Sequence, residues 1–248
     1  MLSHESDIIR RLITGLPPLS HSLERPRVVR RPRHLASQTI SLAVLVAAAI
    51  AACAKVGEDV LDHETAPFDE PIRAWVLARQ TALGRRVFLV ITNAGSPTIL
   101  IPLTGAVALW LSGRRGLPIA GAVLLAPTVA LALFIAVKKA YRRTRPSGAE
   151  RLHQRTYAFP SGHATSSATV FGILGYVLWR ERFLSGSASV VLATVPTLLI
   201  GGSRVYLDVH WATDVIGGWS LGALVTGLSA FVYARVRSDT RRLGRPLP

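Results

Sequence analysis

Cysteine is almost missing from this chain: Cys53 is the one thiol in 248 residues. An intrachain disulfide and a multi-thiolate metal site are therefore excluded. Charge is scarce too, at 17%, and aromatic residues reach only 7%. That is too little polar surface for an ordinary soluble domain of this length. No long internal repeat or low-complexity stretch occurs. Acidic residues are few, 14 against 29 basic ones, for a net charge of +15. The arginines collect between apolar segments rather than on one amphipathic surface, and few aromatics accompany them. The excess therefore speaks for membrane topology and against a nucleic-acid partner.

Apolar residues make up half of the chain, and its mean hydropathy is +0.36. A helical bilayer span takes about 20 apolar residues, so the length holds about six spans with short loops. The predicted fold is all-α, a polytopic membrane helical bundle. Its spans fall near Leu35–Ala54, Val87–Leu111, Leu117–Val137, His163–Trp179, Ala188–Ile200 (extending toward Tyr206) and Trp211–Tyr233. Ile72–Leu83 reads as an interfacial helix anchored by Trp75. Residues 1–34, with Arg25, Arg27, Arg30, Arg31 and Arg33, read as a disordered or surface-lying basic tail, and residues 236–248 as a second one.

Six spans put both termini on one side, together with the Arg114-Arg115 and Arg180/Arg182 turns. By the positive-inside rule that side is cytoplasmic. The acidic loop with Glu58, Asp59, Asp62, Glu64, Asp69 and Glu70 then faces outward. So does the Lys138–Arg155 loop, although it carries Lys138, Lys139, Arg142, Arg143, Arg145, Arg151 and Arg155. Cations that break the charge rule are expected where they serve an anionic ligand.

Three segments at span edges carry such chemistry: Lys138–Pro146, Phe159–His163 and Ser203–Asp214. Transfer of a phosphoryl group needs cations on its oxygens, an in-line nucleophile and a proton for the leaving oxygen. Carboxylates that could hold divalent ions are few near these segments, so Lys138, Arg145 and Arg204 supply the charge. Ser161-Gly162-His163 opens a span, where unpaired backbone N–H groups favour an anion. There Ser161 adds a hydroxyl donor, and Gly162 lets the main chain approach a ligand. His210 and Asp214, four apart, share a helix face. Asp214 can take the Nδ1 proton of His210 and leave Nε2 free to attack. His210 is thus the expected nucleophile, and His163 the general acid and then the base for water. The scheme needs His210 neutral and His163 charged in one complex, so activity should be bell-shaped in pH.

As spaced, these residues resemble the type 2 phosphatidic acid phosphatase (PAP2) superfamily, whose signatures are K-x6-R-P, P-S-G-H and S-R-x5-H-x3-D. Lys138–Pro146, Pro160–His163 and Ser203–Asp214 match them without departure, and Lys139 would give the wrong spacing. The resemblance implies a six-helix phosphatase domain over residues 35–235, with no metal and no cofactor, in the inner (plasma) membrane of a bacterium. It also implies a site facing the periplasm or exterior and a lipid phosphate substrate of the phosphatidate, phosphatidylglycerophosphate or undecaprenyl pyrophosphate type. The same residues take the same roles: His210, His163 and Asp214 catalytic, with Lys138, Arg145, Ser161, Gly162 and Arg204 around the phosphate.

Other readings compete. A phosphotransferase would pass the same phosphohistidine's phosphoryl group to an alcohol, and an inactive lipid-binding or channel-like protein would need no chemistry. Vanadium haloperoxidases share the signatures but are soluble. Asp62-His63-Glu64 reads as a solvated acidic loop rather than a metal site. Tyr141, Arg142, Arg143, Arg151 and Arg155 read as solvated or interfacial. Gly218-x3-Gly222 reads as close helix packing, and Asn93–Pro97 as a helix distortion facing the bundle. Ile50–Cys53 looks like a lipoprotein cleavage box behind an unusually long leader, so Cys53 reads as a buried residue of the first span.

Overall fold

The computed structural model describes residues 33–153 and 156–242, without the side chains of residues 33–38, 151 and 239–242. The basic run before Arg33, Arg155 and the last six residues lie outside the described residues. The chain divides after Ala36, and the bundle belongs to the second unit. The described residues form helices and no strand: α1 (Arg33–Leu61), α2 (Ala66–Ala78), α3 (Ala82–Asn93), α4 (Pro97–Arg115), α5 (Leu117–Tyr141), a 3-10 turn (Ser147–Leu152), α6 (Gly162–Arg180), α7 (Gly186–Tyr206) and α8 (Ala212–Arg242).

Among the described residues, five stretches are long and apolar enough to cross a membrane: Thr39–Leu61, Ala82–Arg115, Leu117–Tyr141, Gly186–Tyr206 and Ala212–Ser238. The expected fourth span, α6, falls outside that set because Thr165, Ser167 and Thr169 interrupt it, and all three are buried. Their hydroxyls donate back to the carbonyls of Ser161, Ala164 and Thr165 at 3.0, 3.2 and 2.9 Å. Polar groups satisfied inside their own helix can sit at the centre of a bundle at little cost. α6 does so, packing on α5, α7 and α8. Its contact with α8 is close: a methyl group on Gly218 or Gly222 would lie 2.7 Å from the carbonyl oxygen of Ser161 or Thr165. The core joins Leu111, Ile119, Val123, Ile173, Val177, Val225 and Tyr233. Val90, Ile101, Leu109 and Val190 face outward, as lipid-exposed positions do.

Several expected boundaries shift. α1 continues past Ala54 to Leu61, with Lys55 paired to Asp59 at 2.7 Å along its last turns. Cys53 on α1 is half-buried rather than buried. The interfacial helix starts at Ala66, not Ile72, because Pro67 favours the first turn, and it ends at Ala78. Thr81 then caps a new helix by accepting the Gly84 N–H at 3.0 Å. The distortion expected at Asn93–Pro97 is a full break between α3 and α4. Gly116, at φ 85, makes the turn from α4 to α5 in a conformation that favours glycine.

Candidate active site

At one end of the bundle four chain segments converge: the end of α5, the start of α6, the end of α7 and the loop into α8. α5 ends at Tyr141, one turn past Lys138, and Arg142 at φ 47 redirects the chain. Lys138 thereby sits 4.9 Å over the Phe134 ring, its Nζ donating to Thr156 Oγ1 at 3.4 Å. Arg145 spreads its fork across two loops. Nε donates to the Thr156 carbonyl at 2.6 Å, and Nη1 to the Val209 carbonyl at 2.7 Å. Nη1 also lies 3.1 Å from His210 Nε2.

His210 is buried, its Nδ1 3.3 Å from Asp214 Oδ2. An acceptor there fixes the tautomer with Nδ1 protonated, so Nε2 carries the lone pair and receives Arg145. Burial first, and then the charges of Arg145, Arg204 and Lys138, hold His210 well below the ordinary histidine pKa. The imidazole is therefore neutral at physiological pH, as a nucleophile requires. His163 shares this electrostatic neighbourhood with Arg204, His210, Arg145 and Lys138. It also lines the α3–α4 break, where a Cβ on Gly95 would stand 3.2 Å from its Cδ2.

Arg204 is buried at the end of α7, and its Nη1 donates to Thr92 Oγ1, in the last turn of α3, at 2.8 Å. Its Nε and the Ser161 hydroxyl are buried with no hydrogen-bond partner among the described residues. Orphaned donors are rare in protein interiors and mark places where a ligand completes the bonding. Ser161 caps α6 in an extended conformation, and its N–H donates to the Asp214 carbonyl at 2.9 Å. The eight residues expected to act together thus cluster. The space beside Gly162 is filled by Phe134, whose Cζ would lie 2.9 Å from a Cβ there. Gly162 is small to admit that ring, and the ring in turn carries Lys138.

Arg143 is not the solvated or interfacial cation expected. Its side chain is only 14% exposed, because it bridges Asp214 Oδ1 and Asp69 Oδ2, each at 2.7 Å. Asp69, expected in an outward acidic loop, is buried on α2 and also receives the Thr213 N–H and hydroxyl at 3.0 and 2.6 Å. A cavity of about 310 Å³ opens beside Arg143, lined by His63, Glu70, Arg142 and Trp211 among others. Asp62, His63 and Glu64 are exposed. Sequence reading missed Asp69, Arg143, Thr92 and Thr156. The available signals were Arg143's place inside the first cationic motif and the amphipathic spacing of α2.

Known proteins resemble this chain in sequence and in fold. The family model described as the PAP2 superfamily matches residues 117–238, a range that contains all eight site residues. Phosphatidylglycerophosphatase B of Bacillus subtilis (strain 168) is 37% identical over 161 residues, 63% of this chain and 79% of that protein. An undecaprenyl-diphosphatase of Sulfolobus acidocaldarius is 37% identical over 73 residues, 29% of this chain and 32% of that protein. The crystal structure of a transmembrane PAP2-type phosphatidylglycerolphosphate phosphatase from Bacillus subtilis matches with a TM-score of 0.65 at 27% identity. The match covers 84% of this chain and 98% of that one. Likeness over most of a relative's length and in the whole bundle decides the matter: this chain belongs to the PAP2 superfamily, as an integral-membrane phosphatase of that type.

Proposed function

We propose that the chain hydrolyses a phosphate ester or pyrophosphate of a lipid, of the phosphatidate, phosphatidylglycerophosphate or undecaprenyl pyrophosphate kind, through a phosphohistidine at His210. The observation that carries this reading is the orientation of His210, with Nδ1 against Asp214 and Nε2 against Arg145. An incoming phosphate gathers Lys138, Arg145 and Arg204, and gives the Ser161 hydroxyl and Arg204 Nε the partner they lack. Arg145 Nη1 then turns from Nε2 to a phosphate oxygen, which frees the lone pair. Nε2 attacks phosphorus, the P–O bond to the lipid breaks, and His163 gives its proton to the leaving oxygen. Asp214 stabilises the imidazolium. Water, deprotonated by His163, next attacks phosphorus; the N–P bond breaks, inorganic phosphate leaves and His210 is again neutral.

Charge neutralisation by side chains rather than a divalent ion fits this donor set. Three cations surround the phosphate position and would repel a metal. The oxygens of Asp214 are occupied by Arg143, His210 and the Trp211 N–H. Topology follows from the same frame. His163 and Arg180 stand at opposite ends of α6, roughly 26 Å apart at the helical rise. The arginine-rich turns therefore stand a bilayer's thickness from the site, which supports cytoplasmic termini and a site on the periplasmic or exterior face. The catalytic domain expected over residues 35–235 extends at least to Arg237 on α8, which pairs with Glu181 at 2.6 Å.

The test is phosphate release from a panel of purified lipid phosphates with EDTA present, together with trapping of the phosphoenzyme. An alkali-stable, acid-labile phosphoenzyme in the wild type and its loss in His210→Ala are expected. Hydrolysis that survives His210→Ala would overturn the nucleophile. Phosphoryl transfer to an added lipid alcohol without phosphate release would mark a phosphotransferase instead.

A further inference from the structure

Helix α2 touches the loop that carries His210 at two points, one on each side of the histidine. Asp69 and Arg73 are four residues apart and so share a face. Downstream of His210, Asp69 binds Arg143, which holds Asp214, and it also receives the backbone and hydroxyl of Thr213. Upstream, Arg73 forms a two-pronged pair with Asp208, at 2.7 and 3.0 Å. Asp208 is nearly buried, takes the Gly148 N–H at 3.0 Å and sits at φ 55. A non-glycine residue in that region costs free energy unless its surroundings hold it there. The guanidinium of Arg73 and the Gly148 N–H hold the Asp208 side chain, and the Val205 carbonyl takes its backbone N–H at 3.0 Å. Between the two grips, Trp211 has guanidinium carbons of Arg73 and Arg143 at 5.6 and 5.7 Å from its ring. Its indole N–H reaches the Thr144 carbonyl at 3.0 Å. Away from these two residues, α2 exposes Phe68 and Trp75, so the helix itself rests at the membrane edge.

We propose that α2 is a positioning element of the active site, in which Asp69 and Arg73 clamp residues 208–214 so that His210 is aimed at the phosphate. Neither side chain touches the phosphate position; both act through Arg143, Asp214 and Asp208. A nucleophile displaced by about an ångström loses rate far more than substrate affinity. Neither Asp69 nor Arg73 bonds the side chain of Lys138, Arg145 or Arg204, whereas both grip the segment that aims His210, so attack should suffer more than binding.

This inference rests on His210 being the nucleophile, and the experiment keeps the two claims apart. Full-length Asp69→Asn, Arg73→Ala and Asp208→Gly are compared with wild type by rapid-quench phosphoenzyme formation and by steady-state kinetics. Asp208→Gly is chosen because glycine keeps the φ 55 backbone without strain and loses only the grip of Arg73 and Gly148. Each variant should form phosphoenzyme about 10- to 100-fold more slowly, with KM and the inhibition constant for inorganic phosphate within about threefold. Exposed Phe68→Leu on the same helix should be unchanged. Wild-type phosphorylation rates in the three variants, or losses confined to the folded fraction, would overturn the clamp while leaving the phosphohistidine intact. An equal loss in Phe68→Leu would overturn it too, since the helix would then be sensitive everywhere. Absence of phosphoenzyme in the wild type would instead overturn the nucleophile.

Discussion

The two ends of this bundle each bury a carboxylate among arginines, and they use it in opposite ways. At the end away from the site Glu181 is 5% exposed. Arg115 Nε meets one of its oxygens at 2.6 Å, and Arg237 Nε meets the other at 2.6 Å, where the Tyr233 hydroxyl also donates. The cluster ties the α4–α5 turn, the end of α6 and α8 together with no capacity to spare. At the other end Asp214 is equally well held, but Arg204 Nε and Ser161 Oγ beside it are buried and unmet. Stability is served where both oxygens of the buried carboxylate are taken by fixed donors; function is served where donors beside it wait for a ligand.

Conservative substitution of each carboxylate should split the two roles. In Asp214→Asn the amide can present Nδ1 of His210 with the wrong partner, so the imidazole loses its productive tautomer. We expect kcat to fall by about 10³- to 10⁴-fold, with the protein still folded in detergent. A loss that tracks the folded fraction alone would make the two ends equivalent.

Glu181→Gln should do the reverse. Breaking a buried ion pair from one side costs about 3–5 kcal/mol, so thermal unfolding should shift strongly while kcat per folded molecule holds. Burial pushes the Glu181 carboxyl up, but hydrogen bonds from Tyr233, Arg237 and Arg115 outweigh it and leave its pKa below the ordinary carboxylate value. Its stabilisation is therefore complete at neutral pH and is lost as pH falls through that lowered value. Acid should weaken this variant less than the wild type, as read from unfolding midpoints against pH.

How much of this was legible in sequence follows from how each contact is made. Spans show themselves as long apolar runs, and the eight site residues as fixed short spacings, because both are local in the chain. α6 was still placed correctly although it is polar, since its PSGH start and the Arg180 end bracket it. What escaped joins distant segments: Arg143 and Asp69 are 74 residues apart, and Arg204 meets Thr92 across 112. Arg143 looked like one more cation in a basic loop because nothing local distinguishes a buried guanidinium from a solvated one. At Gly162 the Phe134 ring beside it comes from another helix, so that neighbour too was invisible in the local sequence.

The comparison predicts a difference in acid tolerance of activity as well. His210 lies well below the ordinary histidine value of 6.5, through burial and then through Arg145, Arg204 and Lys138. A nucleophile with a depressed pKa stays neutral until pH falls below that depressed value. The acid limb of kcat/KM should thus lie well below pH 6.5. In Arg145→Gln the residual activity should show this limb displaced upward, because one of the charges opposing protonation is gone. Substituting Arg237, an arginine of the stability cluster, should leave the limb where it is. Measurement of kcat/KM against pH for the three proteins decides this.

The smallest effect expected is also the sharpest probe, because it removes one hydroxyl from each end. Thr92→Val deprives Arg204 Nη1 of its acceptor at 2.8 Å, beside an Nε that already lacks one. A hydrogen bond to a charged group is worth about 1.5–3 kcal/mol, and part of that is recovered when phosphate arrives to take the guanidinium. The remainder should appear as weaker binding, about a tenfold rise in KM and in the inhibition constant for phosphate, with Thr92→Ser close to wild type. Tyr233→Phe removes a donor from Glu181 Oε1, which keeps Arg237. It should lower the unfolding midpoint and leave KM alone. If Thr92→Val instead lowered only stability, Arg204 would be held by the helix packing rather than by the α3–α4 break, and the two ends would differ less than their hydrogen bonds imply.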